Sequence, residues 1–186
     1  MKIYTITLES NIYQSLVPDD PAIWETNAIK FDGASKLEHW TQPSFRVYNP
    51  KLKQGDFVGI GPGCLGIRSR AQKDLLEWLE RSGELLQIIP ESLDVSIFNV
   101  TECCDCLDHD RVQWVYGEKS GKPIRIEKYA FTKNLIPEST IFKIPEFAKS
   151  EILVHDGFGD LEDTFIYAVK EHGLKGIRFD EIWCEN

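Results

Sequence analysis

Two segments of this chain repeat one local pattern, and no other feature constrains the fold as much. Each has a short apolar run, a polar cap, an amphipathic helical stretch, a glycine and a second apolar run. In the first, Ser69 is the cap, through its side-chain oxygen. Ala71, Leu75, Trp78 and Leu79 then recur at helical spacing and give one apolar face. Gly83 supplies the stop, because glycine tolerates the left-handed conformation there. Residues 85–89 and Val95–Val100 follow as strands. In the second, 152–154 is a strand and Asp156 a cap, with Gly157 and Gly159 able to delay the helix to Asp160. Leu161, Phe165, Ala168 and Val169 form the apolar face, Gly173 is the stop and 176–183 is a strand. An internal duplication and a recurrent αβ solution both fit, and two copies are too few to establish a repeat architecture.

The remaining elements are less regular. Residues 3–8 alternate as a half-buried strand does, without the apolar run of a signal peptide. Residues 17–63 carry Pro18, Pro21, Pro43, Pro50 and Pro62, with Trp24, Phe31, Trp40, Phe45 and Tyr48 between them. They read as loops and short strands laid over the core and pinned by aromatics. Residues 57–60, 124–131 and 141–144 read as further strands. The expected fold is α+β: a mixed β-sheet with two main amphipathic helices packed against it and an irregular N-terminal third. One domain spans 1–186, with 1–63 as the less regular part and 64–186 as the core.

With 42% hydrophobic residues the chain has enough apolar area to hold a core without disulfides or a structural metal. Its net charge of -9 repels phosphate backbones and anionic lipid, which makes nucleic acid and membrane poor partners and a basic protein a good one. No apolar stretch approaches the roughly 18–20 residues that span a bilayer. Five cysteines, three of them at Cys103, Cys104 and Cys106, point to reduced thiols in a cytoplasm and away from a disulfide framework.

Residues 98–110, FNVTECCDCLDHD, concentrate the reactive side chains. Thr101 can cap a short helical turn whose exposed face is mostly acidic. On such a turn Cys103 and Cys106 share one face while Cys104 points elsewhere, a poor chelating set compared with spaced pairs. The thiols therefore read as small core residues. Asp105, Asp108 and Asp110 lack the alternation and central glycine of a calcium loop and read as a solvated face or a contact patch for a basic partner. Asp156, Asp160, Glu162 and Asp163 form a second acidic cluster, which the first turn of a helix also favours. Gly61-Pro62-Gly63-Cys64-Leu65-Gly66 is a literal GxGxxG, but the helix starts too late for a dinucleotide and Pro62 removes an N–H. His39, His109, His155 and His172 belong to no nucleophile motif.

Several ordered motifs carry a resemblance. Phe98-Asn99-Val100-Thr101 followed by Asp105-x-Leu107-Asp108, then Arg125-Ile126-Glu127-Lys128-Tyr129-Ala130-Phe131, then Ile141-Phe142-Lys143-Ile144-Pro145, and finally Gly173-Leu174-Lys175-Gly176-Ile177-Arg178-Phe179 with Ile182-Trp183, together resemble a bacterial immunity-protein family of polymorphic toxin systems, first catalogued as a domain of unknown function. The likeness covers about half the chain, from Leu65 onward. It implies an α+β fold, a cytoplasmic location, no enzymatic activity and no cofactor. It also implies a cognate toxin domain as partner, delivered by a contact-dependent or type VI system and often encoded by an adjacent gene. The family residues are mostly apolar or cap residues, so they hold the fold and leave the toxin-contacting surface open. Charge places that surface at Asp105, Asp108, Asp110, Asp160 and Asp163. Two other readings are a small metal- or redox-dependent enzyme using Cys103, Cys104 and Cys106, and a ligand-binding module using the glycine-rich segment.

Overall fold

A computed structural model describes residues 1–186 apart from Phe158, Asp160 and Asn186, and apart from the side chains of Asn27 and Leu161. In chain order the strands and helices are β1 (Lys2–Leu8), β2 (Leu16–Pro18), β3 (Phe45–Val47), β4 (Phe57–Val58), β5 (Cys64–Arg68), α1 (Ser69–Ser82), β6 (Gly83–Gln87), β7 (Val95–Val100), β8 (Gln113–Tyr116), β9 (Pro123–Lys128), β10 (Ile141–Lys143), β11 (Ile152–His155), α2 (Phe165–Glu171) and β12 (Ile177–Cys184). The fold is α+β, with short 3-10 turns filling the N-terminal third. Among the described residues no helix is long and apolar enough to cross a membrane.

The strands form two four-stranded sheets and two ribbons. The first sheet has the order β10-β11-β1-β12 and the second β4-β5-β7-β6; the ribbons are β2-β3 and β8-β9. Neighbours within them run antiparallel. Parallel pairing enters through isolated bridges such as Ser15↔Gly59 and Cys103↔Lys143. The two sheets share one plan. In each, a helix joins two parallel strands, β5 to β6 and β11 to β12, that are held apart by an antiparallel strand. That inserted strand is β7 in the second sheet and β1, the start of the chain, in the first.

Alternation along the strands sorts the side chains into three clusters. The central one draws on both sheets and both helices: Phe57, Leu65, Ile67, Phe98 and Val100 from the second sheet, Ile141, Ile152 and Val154 from the first, Ala71, Leu75 and Leu79 from α1, and Phe165, Ala168 and Val169 from α2. The far side of the first sheet gives Ile3, Phe142 and Leu153 to a cluster roofed by β8, β9 and residues 103–112. The far side of the second sheet gives Val58, Cys64, Leu86 and Ile97 to a cluster covered by the N-terminal third. There Phe31 and Phe45 are buried and Trp40 is half-buried, while Trp24 and Tyr48 remain exposed.

α1 lies where periodicity places it, whereas α2 starts only at Phe165, since Leu161, expected on its apolar face, belongs to a separate 3-10 turn at Leu161–Asp163; the ends of both helices are set differently. Ser69 does not cap α1; it is the first helical residue, and its hydroxyl donates to Asp94 at 2.5 Å. Gly83 does end α1, yet not in the left-handed conformation: its φ of 177° is extended backbone. Glycine is required because a Cβ would collide with the carbonyl oxygen of Asn99 across the β6–β7 ladder, so helix passes into strand without a loop. Asp156 does not cap α2 either, since its carboxylate accepts from the Lys2 backbone N–H at 2.7 Å. Thr164 caps α2 by accepting from the Tyr167 N–H, and Gly173, at φ 62°, follows its end in the left-handed conformation.

The largest departure is in residues 101–112, which form no helix. The N–H groups of Thr101 and Glu102 both donate to Ser82 at the end of α1. Cys104 N–H donates to Lys143 and Lys143 N–H to Glu102, each at 2.9 Å, so the segment runs as an extended edge along β10. These long-range bonds override the local helix signal of Thr101.

Two changes test this packing. Phe165→Ala removes a fully buried ring that meets Phe57 and Phe179 edge-on, and urea denaturation should show a loss of about 3–5 kcal/mol. Gly83→Ala should cost about 2 kcal/mol or more by the same measurement, because the clash is with backbone.

Candidate functional site

The extended edge at 102–110 places the acidic residues. Asp105 and Asp110 are exposed, and Asp108 is partly buried in a turn where its own N–H donates to Ala130. The three carboxylates do not converge. Asp105 approaches His109 at 3.4 Å, Asp108 lies 3.9 Å from Arg111, and Asp110 has no ion pair among the described residues. Asp163 is exposed beside α1, where its carbonyl accepts from the Trp78 indole N–H at 3.2 Å. Asp160 lies outside the described residues. The 105–110 ridge packs with the cluster on one face of the first sheet, whereas Asp163 leads into α2 on the other. The two acidic clusters named from the sequence are therefore not one continuous surface.

Extension also reverses the cysteine geometry. Cys104 and Cys106, two apart, join the same cluster, while Cys103 points the other way, toward Gly33 and Lys149. Burial pushes all three thiols up; it pushes the separate Cys64 thiol up to about 12. Cys104 donates to the Leu135 carbonyl at 2.6 Å. Protonated, inward-facing thiols are poor nucleophiles and poor metal ligands.

The glycine-rich segment serves packing. A Cβ at Gly63, which has φ 77°, would strike the carbonyl oxygen of Phe31, and Gly66 lies within β5, so α1 does not begin among the glycines. Gly61 to Leu65 nevertheless form one wall of a cavity of about 600 Å³, with Thr5 to Leu8 of β1, part of β9, Tyr129 and Glu151 as other walls. The Tyr129 hydroxyl donates to the Glu151 carboxylate at 2.7 and 2.8 Å. Burial pushes the Glu151 carboxyl up; the Tyr129 bond opposes this and nearby Glu146 adds to it. Beside the cavity, Phe147, Ala148 and Lys149 are three consecutive left-handed residues, an uncommon backbone for side-chain-bearing residues. The cavity is open and of mixed polarity, and among the described residues it holds no convergent nucleophile–base pair.

Two more polar groups are sealed inside. His155 is fully buried; its Nδ1 accepts from the Gly157 N–H, which leaves Nε2 to donate to Pro137 at 3.0 Å, and burial lowers its pKa. Lys143 is fully buried and donates to the Phe31 carbonyl at 3.0 Å, tying the N-terminal third to β10. Neither was singled out from the sequence. A lysine between Phe142 and Ile144 in an apolar run was the available signal for Lys143. Tyr129 and Glu151 had none, since neighbouring elements in space bring them together.

No known family model matches the chain, and a search of curated proteins finds no relative.

Lys143 gives a pH test with a definite sign. Burial lowers its pKa from 10.5 to about 8. Between those values the unfolded chain holds a proton that the folded chain has released. Stability should therefore rise with pH across the window, and be lowest, as far as this group is concerned, below it. Cys64, pushed up from 9.0 to about 12, acts with the opposite sign above about pH 9, because the unfolded thiol loses its proton first, and this contribution is common to the unaltered protein and a Lys143 variant. Urea denaturation of Lys143→Met and the unaltered protein at about pH 7.5 and about pH 10 should show the unaltered protein gaining on the variant at the higher pH.

Proposed function

We propose that this chain is a non-enzymatic immunity protein that binds a cognate bacterial toxin domain in the cytoplasm and neutralises it. The observation that carries the reading is the exposed acidic ridge at Asp105–Asp110, presented on a structured edge of a chain with net charge -9. The resemblance of its ordered motifs to immunity proteins supports it. The ridge is fixed by backbone bonds to Lys143 and Ala130, so its carboxylates are presented at little further entropic cost. Such a surface fits the basic cleft of a toxin that acts on nucleic acid, where complementary charge speeds encounter and sets orientation. Occlusion of that cleft is the mechanism, and the partner is a protein rather than a nucleic acid or membrane surface. Asp163 belongs to a separate surface. The rival reading, an enzyme built on Cys103, Cys104 and Cys106, is weakened because Cys103 faces away from the other two and burial raises all three thiols.

The test is association of the purified chain with the product of the adjacent gene. Reversal of Asp105, Asp108 and Asp110 to Lys should slow the on-rate by about tenfold or more at low salt and flatten its salt dependence, with circular dichroism unchanged. An unchanged on-rate removes the ridge from the interface. Failure of the unaltered protein to bind or protect against that gene product overturns the function.

A further inference from the structure

The bridge between Cys103 and Lys143 runs parallel. It therefore carries the residues that follow each strand to the same place. Two residues beyond Cys103 is Asp105, and three beyond Lys143 is Glu146. The turn at 108–111 folds His109 back over both. The His109 Nε2 lies 3.4 Å from Asp105 Oδ1 and 3.8 Å from Glu146 Oε1, and the three donor atoms all fall within 4.8 Å of one another.

We propose that Asp105, His109 and Glu146 form a binding site for a divalent cation of the Zn²⁺ type. Ligands on a tetrahedral ion with bonds of about 2.0–2.1 Å stand about 3.4 Å apart, so two of the three spacings are at or near that value already. One imidazole and two carboxylates suit Zn²⁺ or Mn²⁺ better than a soft or a purely oxygen-seeking ion. Two anionic groups face each other across a single imidazole, an arrangement a cation completes. A second observation is independent of the clustering. The other oxygen of Glu146, Oε2, is sealed from solvent and has no hydrogen-bond partner among the described residues. Buried carboxylate oxygens rarely go unsatisfied, and an ion held by both oxygens would satisfy it. The His109 ring stacks on Trp114, with planes 10° apart, and Trp114 in turn meets Phe147, next to Glu146, so the imidazole is oriented by the elements that carry the third ligand. With both Glu146 oxygens on the ion the three residues supply four donor atoms, and a water would make the site five-coordinate.

The experiment is calorimetric titration of untagged, chelator-stripped protein with ZnCl₂, supported by the visible spectrum of the Co²⁺ form. One ion per chain with micromolar affinity or better is expected. His109→Ala and Glu146→Gln should each weaken binding by about tenfold or more, while Asp110→Asn, on the same ridge but outside the triad, should leave it unchanged. His109 is largely exposed, so its variant opens no cavity, and thermal melts confirm that it folds. Absence of saturable binding overturns the proposal. So does unaltered binding in His109→Ala, equal weakening in Asp110→Asn, which would mean diffuse charge, or loss only when Cys103, Cys104 and Cys106 are replaced by Ser, which would put the ion on the thiols.

Discussion

The contact of α1 with α2 between elements of both sheets is what the rest of this structure depends on. Ala71, Leu75 and Leu79 on one helix and Phe165, Ala168 and Val169 on the other are all nearly inaccessible to solvent, and they share one cluster with both sheets. Each sheet also has a second apolar face, and neither face could stay exposed to water. The β8–β9 ribbon with the acidic edge covers one, and the proline-rich N-terminal third covers the other. What looks irregular in sequence is thus a cover with a defined task. Phe31 and Phe45 enter the outer cluster, and the Phe31 carbonyl receives the buried ammonium of Lys143.

The parts legible in the sequence are those whose cause is local. The α1 face follows from apolar residues one turn apart, and the strand at Val95–Val100 from a short β-rich run. The ends of the helices were not legible, because their causes lie far along the chain: Asn99 pressing on Gly83, Asp94 holding Ser69, Lys2 taking Asp156. The same holds for residues 101–112, where a capping threonine and acidic residues suggest a turn of helix. Ladder bonds to Lys143, an element formed much later in the chain, decide otherwise. Asp105 and Asp110 could be recognised as exposed acids. The approach of Glu146 to Asp105 and His109 could not, since it follows from a single parallel bridge that no spacing rule anticipates.

That edge joins several roles in few residues. Its backbone extends the first sheet, its alternate side chains Cys104 and Cys106 close a core cluster, and its Asp105 and Asp110 face solvent. Thiols suit the inward positions because they are small and, when buried, remain uncharged. The division of one extended segment into an apolar and an acidic side is what allows a charged surface to sit directly on a core without leaving carboxylates buried.

The shared plan of the two sheets has a consequence for how the chain assembles. The sheet built from 57–100 is made of strands close in sequence, so it can form as soon as that stretch has left the ribosome. The other sheet cannot. Its inserted strand is synthesised well over a hundred residues before its partners β11 and β12. Until β11 and β12 have been made, β1 therefore waits with both hydrogen-bonding edges open, exposed to wrong partners and to chaperones. Closing so long a loop costs chain entropy that the sheet built from 57–100 does not incur. A ribosome that stops short of residue 177 releases a chain whose first strand lacks one of its two neighbours.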